Sequence, residues 1–199
     1  DLGNPNDDAW AEATEQYLDD HRNPGTNVII WSWCDIGGHN ITKYLNHMED
    51  LIFKYSAGGP KGRRKETEVT FVFMTGHVDG EGINGINYLQ NELIRDHCKE
   101  NNRILYDFAD IESYDPNDSY FLDLNVNDNC SYDGGNWAEE WIIGKTQMTS
   151  PTDTAHNEPN GGDWYSCDSA HSHALNANLK AYGCWYLFAL LAGWSGYEI

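Results

Sequence analysis

Three short apolar runs, each followed by a polar loop, constrain the fold of this chain more than any other feature. Residues 27–34, 69–75 and 103–108 are rich in β-branched and aromatic side chains, and helical patterns separate them. Apolar runs of this length are typical of strands that are buried on both faces of a parallel sheet. The repeated alternation of strand and helix predicts an α/β fold with right-handed crossover connections.

Four main helices are predicted around these strands. The first lies within residues 1–26, where Asn6 or Asp7 can cap it, and the second begins after Asn40. The third follows the second strand, and the last covers residues 172–194. The apolar faces expected on the first, third and last helices are formed by Trp10, Ala13, Tyr17 and Leu18, by Tyr88, Leu89, Leu93, Ile94 and His97, and by Leu175, Leu179, Tyr182, Trp185, Phe188 and Ala189.

Length and charge limit the classes of function. A chain of 199 residues predicts a single domain over residues 1–199. Its formal net charge of -20 would repel a phosphate backbone, so nucleic acid is not an expected partner. The longest apolar run is too short to cross a bilayer, so no membrane span is predicted.

Cysteines and glycosylation sequons favour an extracellular, secreted glycoprotein. Cys130 and Cys167 lie in loop-rich segments and are the candidate pair for a disulfide. Acceptor sequons for N-glycosylation occur at Asn40, Asn117 and Asn129. The first residue is Asp1 and not methionine, from which we expect that a leader has been removed or that the chain is a fragment.

Polar residues gather after the first two predicted strands. The carboxyl ends of parallel strands meet at one edge of the sheet, where open α/β sheets place their sites. We therefore expect the residues of these two loops to lie close together: Cys34, Asp35, Gly37, Gly38 and His39 after the first strand, and His77 and Asp79 after the second.

A D-x-x-H motif stands at the entry to the last helix. Asp168 can bind His171, fix its tautomer and stabilise its charged form, as in the base half of a serine-hydrolase triad. The alternative is an N-cap aspartate beside a surface histidine. His173, two residues beyond His171, allows a third reading as part of a zinc site. Unliganded side chains are the commoner outcome of such spacing, so neither a metal nor another cofactor is predicted.

The order of strands, loops, D-x-x-H motif and terminal helix resembles the carboxyl-terminal two thirds of the SGNH (GDSL-like) hydrolases. Residues 28–34, 73–80 and 105–110 also resemble a group of secreted SGNH-like proteins. The resemblance implies a three-layer, flavodoxin-like parallel sheet with helices on both faces. It implies that Asp168 is the orienting acid and His171 the general base. The segment that supplies hydrogen bonds to the oxyanion in this family corresponds to residues 34–38, so the resemblance implies that Cys34, Gly37 and Gly38 are the candidate donors.

Two departures from the family bear on activity. No serine stands in a Gly-Asp-Ser or G-x-S-x-G setting. The family's first two strands and its nucleophile would precede Asp1. Cys34 occupies the place of the family's asparagine amide and is a poor donor. The resemblance therefore implies hydrolysis of an ester or acetyl ester, on a glycan or a small molecule, if a missing segment supplies the serine.

A sheet that lacks its first strands would expose an unpaired edge, which a missing segment of the same precursor, a second copy of the chain or the first helix would cover. The alternative function is a catalytically inactive extracellular module that binds glycan or assembles with itself. In that reading, the side chains expected to stack on sugar rings are Trp137, Trp141, Trp164, Tyr165, Tyr114 and Tyr120.

Overall fold

The structure is a computed structural model that describes residues 7–62, 68–148 and 161–196. The chain divides into two compact units. The first contains Asp1–Gly76 and Gln90–Leu105, and the second contains His77–Leu89 and Tyr106–Ile199. Asn6, one of the two predicted caps of the first helix, lies outside the described residues.

A small parallel sheet forms the centre of the first unit and confirms the α/β class. Its strands are β1 (Val28–Trp31), β2 (Thr70–Met74) and β3 (Ile104–Tyr106), in the order β1-β2-β3. β1 pairs in parallel with β2, from Val28 opposite Thr70 to Trp31 opposite Phe73. The interior of β2 is buried, as expected of a central strand. All four residues of β1 are only half-buried, because β1 is at the edge of this sheet, so its predicted burial on both faces was wrong.

Helices α1 (Ala9–Asp19), α2 (Ile41–Tyr55) and most of α3 (Ile86–Glu100) belong to the first unit. The side chain of Asn40 caps α2 by accepting the Lys43 N–H at 3.0 Å, as predicted. Asp8, and not Asp7, takes the N-cap position of α1. The buried face of α1 differs from the predicted one, because Tyr17 is exposed; it is formed by Trp10, Ala11, Thr14 and Leu18.

The buried face of α3 is partly polar, which contradicts the predicted apolar face. Leu89 and Leu93 are exposed, whereas Asn91 is buried. The Asn91 amide accepts the Gly76 N–H at 2.9 Å and donates to the Gly76 carbonyl at 3.3 Å. Asn91 therefore satisfies the backbone of the turn after β2, and burying an amide paired in this way costs little.

The turns that follow β1 and β2 meet at Gly76. A Cβ atom at Gly76 would lie 2.5 Å from Cγ2 of the fully buried Ile36 and 3.3 Å from the Cys34 carbonyl oxygen. We expect Gly76→Ala to destabilise the protein by about 1–3 kcal/mol, because the added methyl group would force the buried Ile36 side chain or the backbone to shift. Urea unfolding measures the change. Gly25→Ala is the control, since a Cβ there meets nothing within 4 Å, and an equal loss in both variants would contradict the close approach.

Short elements and one long helix make up the second unit. They are α4 (Phe108–Ser113), an antiparallel hairpin of β4 (Ser131–Tyr132) and β5 (Gly135–Asn136), and α5 (Trp137–Trp141). They continue with β6 (Gln147–Met148), its parallel partner β7 (Trp164–Tyr165), and α6 (Ala174–Leu191). Apolar residues from several of these elements and their loops pack into one core; they include Val78, Leu122, Val126, Trp137 and Leu175.

The long helix α6 differs from its prediction in which residues it buries. Asn176 and Asn178 are buried, whereas Tyr182 and Trp185 of the predicted apolar face are exposed. α6 instead packs against α4 at Gly183, where a Cβ would lie 2.9 Å from Cδ1 of Ile111. In the described part of the chain, no helix is long and apolar enough to cross a membrane.

Candidate functional site

The D-x-x-H motif lies in the loop immediately before α6. Asp168 and His171 are both exposed, and within the described residues no hydrogen bond or ion pair joins them. His171 has a left-handed backbone, with φ +54°, which is costly for a residue that carries a Cβ. The motif therefore presents the imidazole to solvent from a strained turn.

His173, and not Asp168, caps α6. Its Nδ1 accepts the Leu175 N–H at 3.1 Å. Burial lowers the pKa of His173, which favours the neutral imidazole that this hydrogen bond requires. The neutral ring then carries its proton on Nε2. The alternative prediction of an Asp168 cap is thus not met, because the helix begins five residues later than that cap would require.

Three polar side chains spaced four residues apart follow one face of the helix entry. The Asn176 amide donates to Ser172 Oγ at 3.0 Å, and the Lys180 ammonium donates to the same oxygen at 3.2 Å. The Ser169 hydroxyl also donates to the Ser172 carbonyl oxygen. Ser172 is thus held through both its side chain and its backbone, directly beside His171.

A buried carboxylate completes this arrangement. Glu112 of α4 is fully buried, and it pairs with Lys180, whose side chain is 12% exposed, at 2.6 Å. The second oxygen of Glu112 accepts the Val78 N–H at 2.7 Å. Burial raises the pKa of Glu112, and the Lys180 ammonium and the Val78 N–H partly offset that rise. The Lys180 ammonium also lies 4.2 Å from the centre of the Phe108 ring.

We call Glu112, Ser172, Asn176 and Lys180 the α6 polar cluster. Sequence reasoning missed all four residues as a group. The spacing of Ser172, Asn176 and Lys180 at i, i+4 and i+8 was the available signal for three of them. The residues next to Glu112 in the sequence give no indication that its side chain is buried. Chemically, the cluster fixes the helix entry beside His171 rather than offering a free nucleophile, because the Ser172 oxygen already accepts two hydrogen bonds.

The predicted disulfide between Cys130 and Cys167 is wrong, because both thiols are free. Cys130 interacts with the His173 backbone and Asn176, whereas Cys167 is next to the Ala174 carbonyl oxygen and the Asn178 amide. Successive helical residues are about 100° apart, so positions 176 and 178 point to roughly opposite sides of α6. The two sulfur atoms thus contact different sides of the helix. Burial also raises the pKa of Cys130 to about 12, which makes this thiol unreactive.

The loop after β1 contains the candidate oxyanion donors in the first unit. Cys34 is exposed, and Asp35 uses its side chain to accept the Gly37 N–H at 2.9 Å. In this structure the Gly37 amide is therefore occupied. Within the described residues Gly38 N–H makes no hydrogen bond, so it is the donor of this pair that an anion could use.

His39 is held by two neighbours in the first unit. Its Nδ1 is 2.7 Å from the Asp7 carboxylate, and its ring stacks on Trp33 with centroids 4.1 Å apart. Two similar pairs join His47 to Asp8 and His97 to Glu49, each at 2.8 Å. Each of these pairs bridges two secondary-structure elements or their ends, as expected of structural contacts.

These contacts lower the pKa of their carboxylates. Burial alone would raise the pKa of Asp7 and Glu49, but hydrogen bonds from His39 and Asn40 to Asp7, and from Arg103 and His97 to Glu49, outweigh it. At Asp8, hydrogen bonds from His47 and Lys43 lower the pKa. A carboxylate with a lowered pKa stabilises the fold above its ordinary pKa and loses that contribution as the pH falls through the folded value.

Acidification should therefore destabilise the first unit. The ordinary values are 3.8 for aspartate and 4.5 for glutamate, so we expect stability to fall between about pH 5 and pH 3. Glu49→Gln should cost about 1–2 kcal/mol at pH 7 and reduce the slope of this loss. Thermal unfolding across this pH range measures both effects. A melting temperature that is flat from pH 6 to pH 3, or identical slopes for wild type and variant, would contradict this account.

The turn after β2 uses its two candidate residues locally. His77 Nδ1 lies 2.7 Å from the Val78 carbonyl oxygen, and Asp79 accepts the Glu81 N–H at 3.0 Å. Among the residues that the structure describes, no three His, Cys, Asp or Glu side chains form a group that could hold a metal ion.

The remaining predicted sites lie at the surface, with one correction. Asn40, Asn117 and Asn129 are exposed. Trp137, expected among the sugar-stacking aromatics, is fully buried in the core of the second unit and cannot stack on a ligand. Tyr120 is exposed, and Tyr114, Trp141, Trp164 and Tyr165 are half-buried.

The chain was compared with protein-family models, curated proteins and solved structures. No protein-family model matches the chain, and no curated protein or solved structure is significantly similar to it.

Proposed function

We propose that this protein is an SGNH-like, hydrolase-derived protein that works outside the cell and hydrolyses an ester or acetyl ester of a glycan or a small molecule. In this proposal His171 is the general base and Asp168 its orienting acid. A segment with a serine supplies the nucleophile, and the three strands belong to a flavodoxin-like, three-layer sheet. His171 takes the serine proton as the hydroxyl attacks the ester carbonyl, and it gives that proton to the leaving alcohol, so that the acyl group stays on the serine. Water then attacks the acyl-serine, and His171 passes the water proton to the departing serine oxygen.

The observation that carries the proposal is the arrangement around Glu112. This carboxylate binds Val78, in the turn directly after β2, and Lys180 of α6, and its own helix α4 follows β3 along the chain. Residues that follow β2 and β3 along the chain therefore contact α6 within the second unit, and α6 begins three residues after His171. Open α/β sheets place their sites at the carboxyl ends of strands, which supports a catalytic role for this loop.

The exposure and backbone strain of His171 give further support. A general base must reach its substrate, and strained backbone is found preferentially at functional sites. The α6 polar cluster offsets the strain by holding Ser172, the next residue. For catalysis, the proposal requires Asp168 to turn toward His171 when the nucleophile and the substrate are bound, since catalytic hydrogen bonds are often long or absent in free enzymes.

Ester hydrolysis by the full-length protein tests the proposal. We expect it to hydrolyse 4-nitrophenyl acetate or acetylated xylo-oligosaccharides, and we expect His171→Ala to lower kcat/KM by about 10²- to 10⁴-fold. Asp168→Asn should also lower the rate, because asparagine would hold the imidazole in the wrong tautomer.

His173→Asn is the matched control for this experiment. Asparagine also caps helices, so this variant should fold normally and keep near-normal activity. Equal rates in wild type and His171→Ala, or no hydrolysis of either substrate, would contradict the proposal and leave the non-catalytic module as the better description.

A further inference from the structure

A groove in the second unit has the properties of a binding site for a neutral saccharide. It has a volume of about 630 Å³ and lies between α6 and the paired strands β6 and β7. This volume is within the range of about 300–1,000 Å³ that is usual for ligand sites. On the α6 side it is lined by Ala177, Ala181, Tyr182 and Trp185, and on the other by Met148 and Tyr165.

The groove is held in shape by Asn178. This buried side chain accepts the Tyr165 N–H at 2.7 Å and donates to the Tyr165 carbonyl oxygen at 3.1 Å. The same amide also donates to the Ala174 carbonyl oxygen at 2.8 Å. One side chain thus fixes β7 against α6, so a ligand would enter a groove that is already formed and lose little entropy in ordering it.

The chemistry of the lining selects a neutral ligand with hydroxyl groups. Among the residues that the structure describes, no charged side chain lines the groove, although the chain carries a net charge of -20. Trp185, 73% exposed, and Tyr182 offer aromatic faces to solvent. Within the described residues, no hydrogen bond uses the Tyr165 or Tyr182 hydroxyls or the Trp185 indole N–H. Aromatic faces with unused polar groups at their edges suit a sugar ring, whereas an acyl chain would leave those polar groups unpaired.

We propose that this groove binds a neutral oligosaccharide, with the ring of Trp185 against one sugar face and the phenol hydroxyls bonded to sugar hydroxyls. The negative charge of the protein disfavours anionic saccharides at the same place. This inference does not rest on the proposed ester hydrolysis, since binding is measured without turnover, and either proposal can fail while the other holds.

Calorimetric titration with cellohexaose, xylohexaose, mannohexaose and chitohexaose tests the inference. We expect at least one of these neutral hexasaccharides to bind. The anionic hexagalacturonate should bind at least tenfold more weakly or not measurably. Trp185→Ala should weaken binding of the neutral ligand about tenfold or more. Tyr186→Ala is the matched control, because Tyr186 is the next residue on α6, is 53% exposed, and does not line the groove.

Three results would overturn the inference. The first is the absence of measurable binding by all four neutral hexasaccharides. The second is an equal loss of affinity in Trp185→Ala and Tyr186→Ala. The third is a dimer of the wild-type protein, seen by light scattering, that Trp185→Ala converts to monomer while no saccharide binds, because the groove would then hold a second copy. Trp185 and Tyr186 are exposed, so both variants should keep the wild-type circular dichroism spectrum.

Discussion

Lys180→Met is expected to destabilise the second unit by about 3–5 kcal/mol at pH 8, since it leaves the buried Glu112 carboxylate without its cation. Glu112 is fully buried, and within the described residues Lys180 is the side chain that forms an ion pair with it. The destabilisation should shrink as the pH falls toward 5. Without the ammonium, the pKa of Glu112 in the folded chain rises further above its unfolded value, and a raised pKa favours folding at low pH and opposes it as the pH increases.

A second substitution separates lost charge pairing from lost packing. Glu112→Gln in the Lys180→Met background removes the buried charge but keeps an oxygen that can accept the Val78 N–H. We expect the double variant to recover most of the lost stability at pH 8 and to lose the pH dependence. Amide hydrogen exchange in α4 and α6 measures the effect in this unit alone. Equal stability of wild type and Lys180→Met would mean that Glu112 is not ionised or not buried.

Trp10→Ala is expected to destabilise the first unit by about 3–5 kcal/mol, as for other large buried side chains replaced by alanine. Trp10 is fully buried, and its ring stacks on Trp31 with centroids 4.5 Å apart and lies 5.6 Å from the Tyr44 ring. Its indole N–H also donates to the Asp7 carbonyl oxygen at 3.0 Å. The substitution removes the contact that fixes α1 on β1 and α2.

Phe53→Ala is the control for Trp10, because Phe53 lies on α2 in the same unit and is 68% exposed. Its loss should stay within about 0.5 kcal/mol. Urea unfolding, together with amide hydrogen exchange in α2 and β2, measures the free energy of unfolding of both variants. Similar losses in the two variants would contradict the assignment of Trp10 to the core.

The sequence predicted the elements better than their buried faces. Apolar runs indicated β1, β2 and β3, and apolar periodicity indicated α2; of these, β2 and α2 bury mainly apolar or aromatic side chains. Apolar periodicity failed for α3 and α6, where buried asparagines satisfy backbone groups of neighbouring segments: Asn91 binds Gly76, and Asn178 binds Tyr165. A periodicity that counts only apolar residues assigns such amides to the surface, and it assigns exposed residues such as Leu93 and Trp185 to the core.

The sequence identified candidate site residues but not the contacts that the structure shows around them. The Asp168 and His171 motif and the loops after β1 and β2 were identified from the sequence. His39, His47 and His97 bind carboxylates that are 32 or more residues away in the sequence, and no local spacing predicts such pairs. Glu112 escaped notice for the same reason, because Lys180 is far from it in the sequence.

Labelling with a fluorophosphonate tests the proposed hydrolase chemistry most directly. In the full-length protein, a serine oxygen assisted by His171 should attack phosphorus, expel fluoride and pass its proton to the imidazole. We predict one covalent adduct per chain, and peptide mapping should identify the labelled serine. Labelling should be at least about 10²-fold slower in His171→Ala than in wild type or His173→Asn. An unlabelled wild-type protein, or equal labelling rates in all three, would contradict the account.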